Sequence, residues 1–290
     1  MKLQREDESA REQRETLLQQ AVALAGSGRY DQVIFVGGLN HDQDSEGNDR
    51  PDMKLPYGQD ELIRELLKVR PDMVTVLLGG SPVEMGQWID QADSLVWCWY
   101  GGMENGTALA EVLFGQVNPS GKLPESFYKS HKDCSAHCVG EFPGGERVRY
   151  REGLFVGYRY LDTFEVEPEF CFGHGLSYTE FSYGKAKLQW EEARTLETVG
   201  RGESLPGGRV PVVVCEVANS GGCAGKETVQ VYLRQKLRDK NMPYQELAGF
   251  EKVELAPGEK RMVQIRLHGD VQGRKIVVGS SSRDIRVVVD

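Results

Sequence analysis

Residues 32–113 alternate short, almost wholly apolar runs with helix-spaced segments, and this constrains the fold more than any other feature of the chain. The runs cover residues 32–36, 73–78 and 94–100. Before the first, residues 16–25 set Leu17, Leu18, Ala21, Val22, Leu24 and Ala25 at helical spacing, with Gly26 as a stop. Residues 59–69 place Leu62, Ile63, Leu66 and Leu67 on one face, with Pro71 just beyond. Pro82 suits the first turn of a helix reaching about Gln91. Gly101-Gly102 turns into another helix through Thr107, Ala108, Leu109, Ala110, Val112 and Leu113. Strands that are apolar on both faces and alternate with helices predict a mostly parallel sheet with helices packed on it.

Residues 116–181 break this rhythm with repeated glycines and many aromatics, as segments that carry function or wrap another domain do. From about Lys185 the period becomes two. Residues 211–217, 228–233, 261–267, 275–278 and 285–289 are predicted strands of a small all-β sandwich. The boundary is expected near residue 184, giving domains 1–184 and 185–290, with a loop over residues 200–208.

The acidic loop after the first run carries the candidate chemistry. Gly37-Gly38 closes that run, and Asn40, His41, Asp42, Asp44, Glu46, Asp49 and Arg50 follow before the helix at 59–69. In open α/β sheets ligands lie outside the carboxyl ends of the strands. A carboxyl group there, beside a His and an Arg, is placed for proton transfer. Charged loops also serve as plain solvated connections.

A net charge of −9 argues against a nucleic-acid partner, which calls for clustered Lys and Arg. No apolar run approaches the ~20 residues that span a bilayer, so no membrane partner is expected. The first sixteen residues are mostly charged or polar and hold no secretory apolar region. With Met1 as the natural start, a cytoplasmic chain is expected. His131, Cys134, His137 and Cys138 crowd together with no second ligand pair nearby, so a loop with partly buried thiols is expected there and no metal. No nucleophile elbow, P-loop, dinucleotide fingerprint or zinc-protease motif is present.

Five motifs occur in order. They are Ser45-Glu46-Gly47-Asn48-Asp49-Arg50, Gly101-Gly102-Met103-Glu104-Asn105-Gly106, Asn118-Pro119-Ser120-Gly121-Lys122-Leu123-Pro124, Glu152-Gly153-Leu154-Phe155-Val156-Gly157-Tyr158-Arg159-Tyr160 and Phe172-Gly173-His174-Gly175-Leu176-Ser177-Tyr178. Behind them stand Ala224-Gly225-Lys226-Glu227, Glu246-Leu247-Ala248-Gly249-Phe250, Leu255-Ala256-Pro257-Gly258-Glu259 and Ser281-Ser282-Arg283-Asp284-Ile285. The series resembles the C-terminal half of glycoside hydrolase family 3, best known for β-glucosidases, and the tail resembles that family's fibronectin type III-like domain. The resemblance runs from about Thr16 onward. It implies a partial α/β sandwich with a mostly parallel sheet, followed by an all-β fibronectin type III-like sandwich.

Members of that family usually begin with a (β/α)8 barrel that supplies the aspartate nucleophile and most contacts to the −1 sugar. A barrel takes typically ~250 residues, so none fits here. The resemblance also leads one to expect that the opening strands of the family's sandwich domain are absent and that the connection between Leu267 and Lys275 is shortened. The expectation is a truncated C-terminal portion, inactive alone, with a barrel-bearing partner chain as a possible complement.

A retaining glycosidase uses two carboxyl groups roughly 5 Å apart, a nucleophile and a general acid/base. The resemblance implies that Glu46 is the acid/base, with Gly47 turning the loop beside the sugar. Asp49 and Arg50 are expected to pair with each other or with neighbours and so position the loop. His41, Asp42 and Asp44 either line the +1 subsite or are solvated. Glu104 is expected to favour a helix dipole. Trp97, Trp99 and Tyr100 either stack on sugar or fill core, with core expected from their place on a strand. His174 is expected to pack against the missing barrel or the neighbouring domain. The implied reaction is hydrolysis of terminal non-reducing β-D-glucosyl residues of a β-glucoside or oligosaccharide, with retention and no cofactor. The alternatives are a β-xyloside substrate, or a non-catalytic carbohydrate-binding or interaction remnant of a truncated gene.

Overall fold

The structure, a computed structural model, describes residues 8–47, 49–192 and 208–289. Asn48 of the acidic loop, and the predicted loop over residues 200–208 apart from Gly208, lie outside these residues. Packing divides the chain into two units. The first runs to Leu109 and includes Lys129–His131; the second comprises Ala110–Tyr128 and the chain from Lys132. The change of hydrophobic period near residue 184 comes later than this division, because residues 116–180 are bonded to the β sandwich. Asn118 Nδ2 donates to the Ala224 carbonyl at 2.9 Å, and Lys122 Nζ to Ser280 Oγ at 2.8 Å.

The first unit contains α1 (Glu8–Ala25), β1 (Ile34–Gly38), α2 (Gln59–Val69), β2 (Val74–Leu78) and β3 (Ser94–Trp97). The sheet is parallel in the order β1-β2-β3, with Val36 level with Val76 and Val76 with Val96. Central β2 buries Thr75, Val76 and Leu77 completely. The amphipathic face of α2 buries Ile63, Leu66 and Leu67. Helix α1 starts eight residues before the predicted Thr16, in a segment rich in Glu, Arg and Gln, where Arg11 and Glu15 pair one turn apart at 3.3 Å.

Two predicted elements differ. Strand β1 is shifted from residues 32–36 to Ile34–Gly38, so the glycines stay in the ladder opposite Leu77 and Leu78. The reason is close approach: a Cβ on Gly38 would lie 1.9 Å from the Leu78 carbonyl oxygen. On the free edge the Gln59 amide substitutes for a neighbouring strand. Its Oε1 accepts the Gly38 N–H at 2.7 Å and its Nε2 donates to the Gly38 carbonyl at 2.8 Å.

The predicted helix from Pro82 is only a single 3-10 turn, Ile89–Gln91. Val83, Met85 and Trp88 are all fully or almost fully buried, a spacing no single helical stripe provides. The Glu84 N–H instead donates to the Met53 carbonyl at 2.7 Å, and Trp88 Nε1 to Asp60 Oδ1 at 2.8 Å. Helix α3 (Asn105–Leu113), entered through the 3-10 turn Gly102–Glu104, carries the chain out of this unit.

In the second unit the irregular segment holds β4 (Phe127–Tyr128), α4 (Ser135–Cys138), α5 (Tyr158–Phe164) and β5 (Pro168–Phe170), with β4 and β5 antiparallel. The sandwich follows: β6 (Phe181–Glu192), β7 (Arg209–Asn219), β8 (Gly225–Gln235), β9 (Gln245–Leu255), β10 (Lys260–Arg266), β11 (Arg274–Gly279) and β12 (Ile285–Val288). One antiparallel sheet has the order β10-β7-β6 and the other β12-β11-β8-β9. Val213, Cys215 and Val217 of one sheet and Val229, Val231 and Val278 of the other belong to one buried core.

Candidate active site

Three loops leave the carboxyl ends of β1, β2 and β3, and two side chains of the first loop tie them together. Asp44 Oδ2 accepts the Gly80 N–H at 2.8 Å, just after β2, and the Tyr100 hydroxyl at 2.9 Å, just after β3. Arg50 Nη2 donates to Ser81 Oγ at 3.0 Å and to the Pro82 carbonyl at 2.9 Å. Arg50 Nη1 is buried with no hydrogen-bond partner among the described residues. Burial draws the Arg50 guanidinium below its usual value, opposed chiefly by the charge of Asp44. Burial, and after it the bond to Asp44, raise the Tyr100 phenol.

The loop backbone explains this placement. Asn40 starts a turn in which its carbonyl accepts the Gln43 and Asp44 N–H groups at 3.0 and 2.8 Å, and its Oδ1 accepts the Asp42 N–H at 3.0 Å. That turn delivers Asp44 to the strand ends. Farther on, Asp60 at the start of α2 accepts the Leu55 N–H at 3.2 Å with one oxygen and Trp88 with the other. Burial raises the Asp60 carboxyl, and its two donors oppose the rise.

Glu46 lies between the Asp44 and Arg50 anchors, followed by Gly47 in the left-handed region at φ 78°. It is exposed, and no described side chain bonds its carboxylate. An exposed carboxylate on an anchored loop can give and take protons without breaking a structural contact. Asp49 and His41 are exposed as well. Asp49 forms no ion pair with Arg50; that guanidinium is spent on the loop after β2. Asp42 Oδ2 lies 3.3 Å from the Tyr57 hydroxyl, which also contacts Asn40. Asp44, expected either at the +1 subsite or in solvent, is instead engaged by the scaffold.

Tyr100 lies beyond the end of β3 and is exposed, contrary to its expected core position. Trp99 adopts φ 48°, a conformation uncommon for a non-glycine residue, and meets Trp97 edge-on at 5.6 Å. Sequence reasoning read Tyr100 as core, and it missed two further site residues, Gly80 and Ser81. The signal for the latter two was Gly79-Gly80-Ser81-Pro82 directly after an apolar strand. Glu104 sits in the turn entering α3 and accepts from Thr107 at 3.2 Å. His174 stacks on Phe170 at 5.1 Å within its own unit, where burial and the charge of Lys122 lower its pKa. In the Cys/His cluster, His131 bonds Glu84 at 2.7 Å and Cys138 Sγ bonds the Lys132 carbonyl at 3.2 Å. Among the described residues no three His, Cys, Asp or Glu side chains converge as metal ligands.

Residues 7–178 match the model of the glycosyl hydrolase family 3 C-terminal domain, and residues 227–272 that of the fibronectin type III-like domain. The chain is 44% identical to β-glucosidase BoGH3A of Bacteroides ovatus over 242 residues, 82% of this chain and 31% of that protein. It is 40% identical to thermostable β-glucosidase B of Acetivibrio thermocellus over 288 residues, 93% of this chain and 36% of that one. The crystal structure of the Kluyveromyces marxianus β-glucosidase in complex with glucose aligns with a TM-score of 0.78 at 36% identity, over 94% of this chain and 33% of that one. The chain thus spans about a third of the length of these relatives. With a family model matched over more than half its residues, the chain belongs to glycosyl hydrolase family 3, as a C-terminal α/β domain followed by a fibronectin type III-like domain.

Proposed function

We propose that this chain supplies the acid/base loop of a retaining β-glucosidase that hydrolyses terminal non-reducing β-D-glucosyl residues, and that Glu46 is the acid/base. The carrying observation is the position of Glu46: an unpaired, exposed carboxylate at the ligand edge of a parallel sheet, between two anchors that fix its loop. Glu46 protonates the leaving oxygen and then activates water. The nucleophile comes from a barrel outside these residues, in a longer chain or a partner. The exposed Ile34 and Val36 of edge strand β1 support this reading, because uncovered apolar positions on a sheet mark a missing neighbour.

The test is a fusion in which this chain replaces the C-terminal portion of one of its β-glucosidase relatives. The isolated chain stays at background on aryl β-glucosides. The fusion turns them over, and Glu46→Gln lowers that turnover about 10²–10⁴-fold. A folded fusion that binds glucose without turnover would favour the non-catalytic binding remnant, and an active one indifferent to Glu46→Gln would remove Glu46 from the acid/base role.

A further inference from the structure

Outside the site described above, the clearest unassigned chemistry is a pair of thiols on one helical turn. Cys134 caps α4 and Cys138 ends it, and the Cys138 N–H donates to the Cys134 carbonyl at 3.0 Å. A hydrogen-bonded turn holds such positions about 6 Å apart, at ~1.5 Å rise per residue. That lies inside the roughly 4.4–6.8 Å Cα separation a disulfide tolerates.

Cys134 has extended backbone, φ −70° and ψ 136°, so its side chain does not follow the helical direction that keeps positions i and i+4 in parallel. Each thiol also sits against a phenol. The Tyr160 hydroxyl donates to Cys138 Sγ at 3.2 Å, and Cys134 lies close enough to Tyr128 to add to the rise that burial imposes on that phenol. Cys134 and Cys138 both lie close enough to Tyr160 to act on its titration, and with burial as the largest cause they push it up to about 12. Cys138 is exposed and Cys134 half-buried, so Cys138 is the more reachable thiol.

We propose that Cys134 and Cys138 form a reactive dithiol whose substrate is a low-molecular-weight disulfide. The Cys138 thiolate attacks one sulfur of the disulfide, the S–S bond breaks, and one thiol leaves carrying a proton. Cys134 then gives up its proton and attacks Cys138 Sγ, forming the Cys134–Cys138 bond and expelling the second thiol. The protein loses two protons and two electrons, and the disulfide becomes two thiols. Helix α4 is a single turn, so its rearrangement is local. The new bond withdraws Cys138 Sγ from the Lys132 carbonyl and from Tyr160 on α5.

The experiment treats the reduced, folded chain with oxidised glutathione, blocks remaining thiols, and weighs the tryptic peptide covering residues 133–147. The expected peptide carries no glutathione and is lighter by two hydrogens than the reduced form. In Cys134→Ser the second step is lost and Cys138 retains one glutathione, as the exposed Cys223 does in both proteins. A second measurement uses phenylarsine oxide, which bridges paired thiols: the wild-type peptide takes up one arsenical, and each single Ser variant takes up none. A wild-type peptide that keeps its glutathione, or that resists both reagents, would overturn the proposal.

Discussion

The Tyr100 hydroxyl donates to the Asp44 carboxylate at 2.9 Å, joining the loop after β1 to the loop after β3 across the central strand. The same carboxylate oxygen holds the Gly80 N–H after β2. One oxygen therefore fixes three strand ends, two residues from Glu46.

Removing the phenol alone tests that arrangement. Tyr100→Phe keeps the ring and deletes one hydrogen bond to a charged acceptor, a contact worth about 1.5–3 kcal/mol. Amide hydrogen exchange over residues 40–47 is expected to accelerate at least about ten-fold, while the amides of α2 keep their rates. Equal exchange in both proteins would mean that Arg50 and the bond from Asp44 to Gly80 hold the loop without the phenol.

Asp60 makes the first unit sensitive to pH. Its folded value is raised, chiefly by burial, above the ordinary 3.8. The stability it contributes is therefore complete below 3.8 and is lost as pH rises through the folded value. Asp60→Asn removes this titration and leaves one acceptor where two are used, for Leu55 and Trp88. Urea unfolding should find the variant less stable by about 1–3 kcal/mol. The gap should be widest at acid pH and narrow as pH rises above 3.8.

Asp162 plays a comparable part in the second unit. It is 7% exposed and accepts Arg283 Nε at 2.9 Å and Gln245 Nε2 at 2.7 Å, while Arg283 Nη2 reaches the Val166 carbonyl at 2.7 Å. Arg283→Leu strands a buried carboxylate, so denaturation should show a loss of about 3–5 kcal/mol. Adding Asp162→Asn should recover part of that loss, since the charge left unpaired is then gone.

Elements that follow from local pattern were legible in the sequence. Residues 59–69 form a helix because four apolar side chains share its face and Pro71 stops it. Strands β7, β8, β10, β11 and β12 carry short runs rich in Val and Ile that locate them. Strands β6 and β9 carry Lys, Gln and Glu through long stretches and owe their pairing to neighbours distant in sequence. Proline at residue 82 read as a helix start, but the bond from Trp88 to Asp60, 28 residues back, overrode it. The anchors of Asp44 and Arg50 span 31 to 56 residues and leave no local trace. Glu46 stood out through its motif, since several carboxylates on that loop are exposed.

The acid/base role proposed for Glu46 makes a chemical prediction in the fused enzyme. Glu46→Ala removes protonation of the leaving oxygen, so aryl glucosides with good leaving groups should lose least and those with poor leaving groups most, up to about 10²–10⁴-fold. With a good leaving group, breakdown of the glycosyl-enzyme becomes slow, because no base activates water. Azide needs no such base and should restore part of that rate, giving the β-glycosyl azide as product. If Glu46→Ala lowered both substrate classes equally and azide had no effect, Glu46 would only shape its loop. Asp42 would then be tested next: unlike Asp44, its carboxylate meets among the described residues only the exposed Tyr57 hydroxyl, at 3.3 Å.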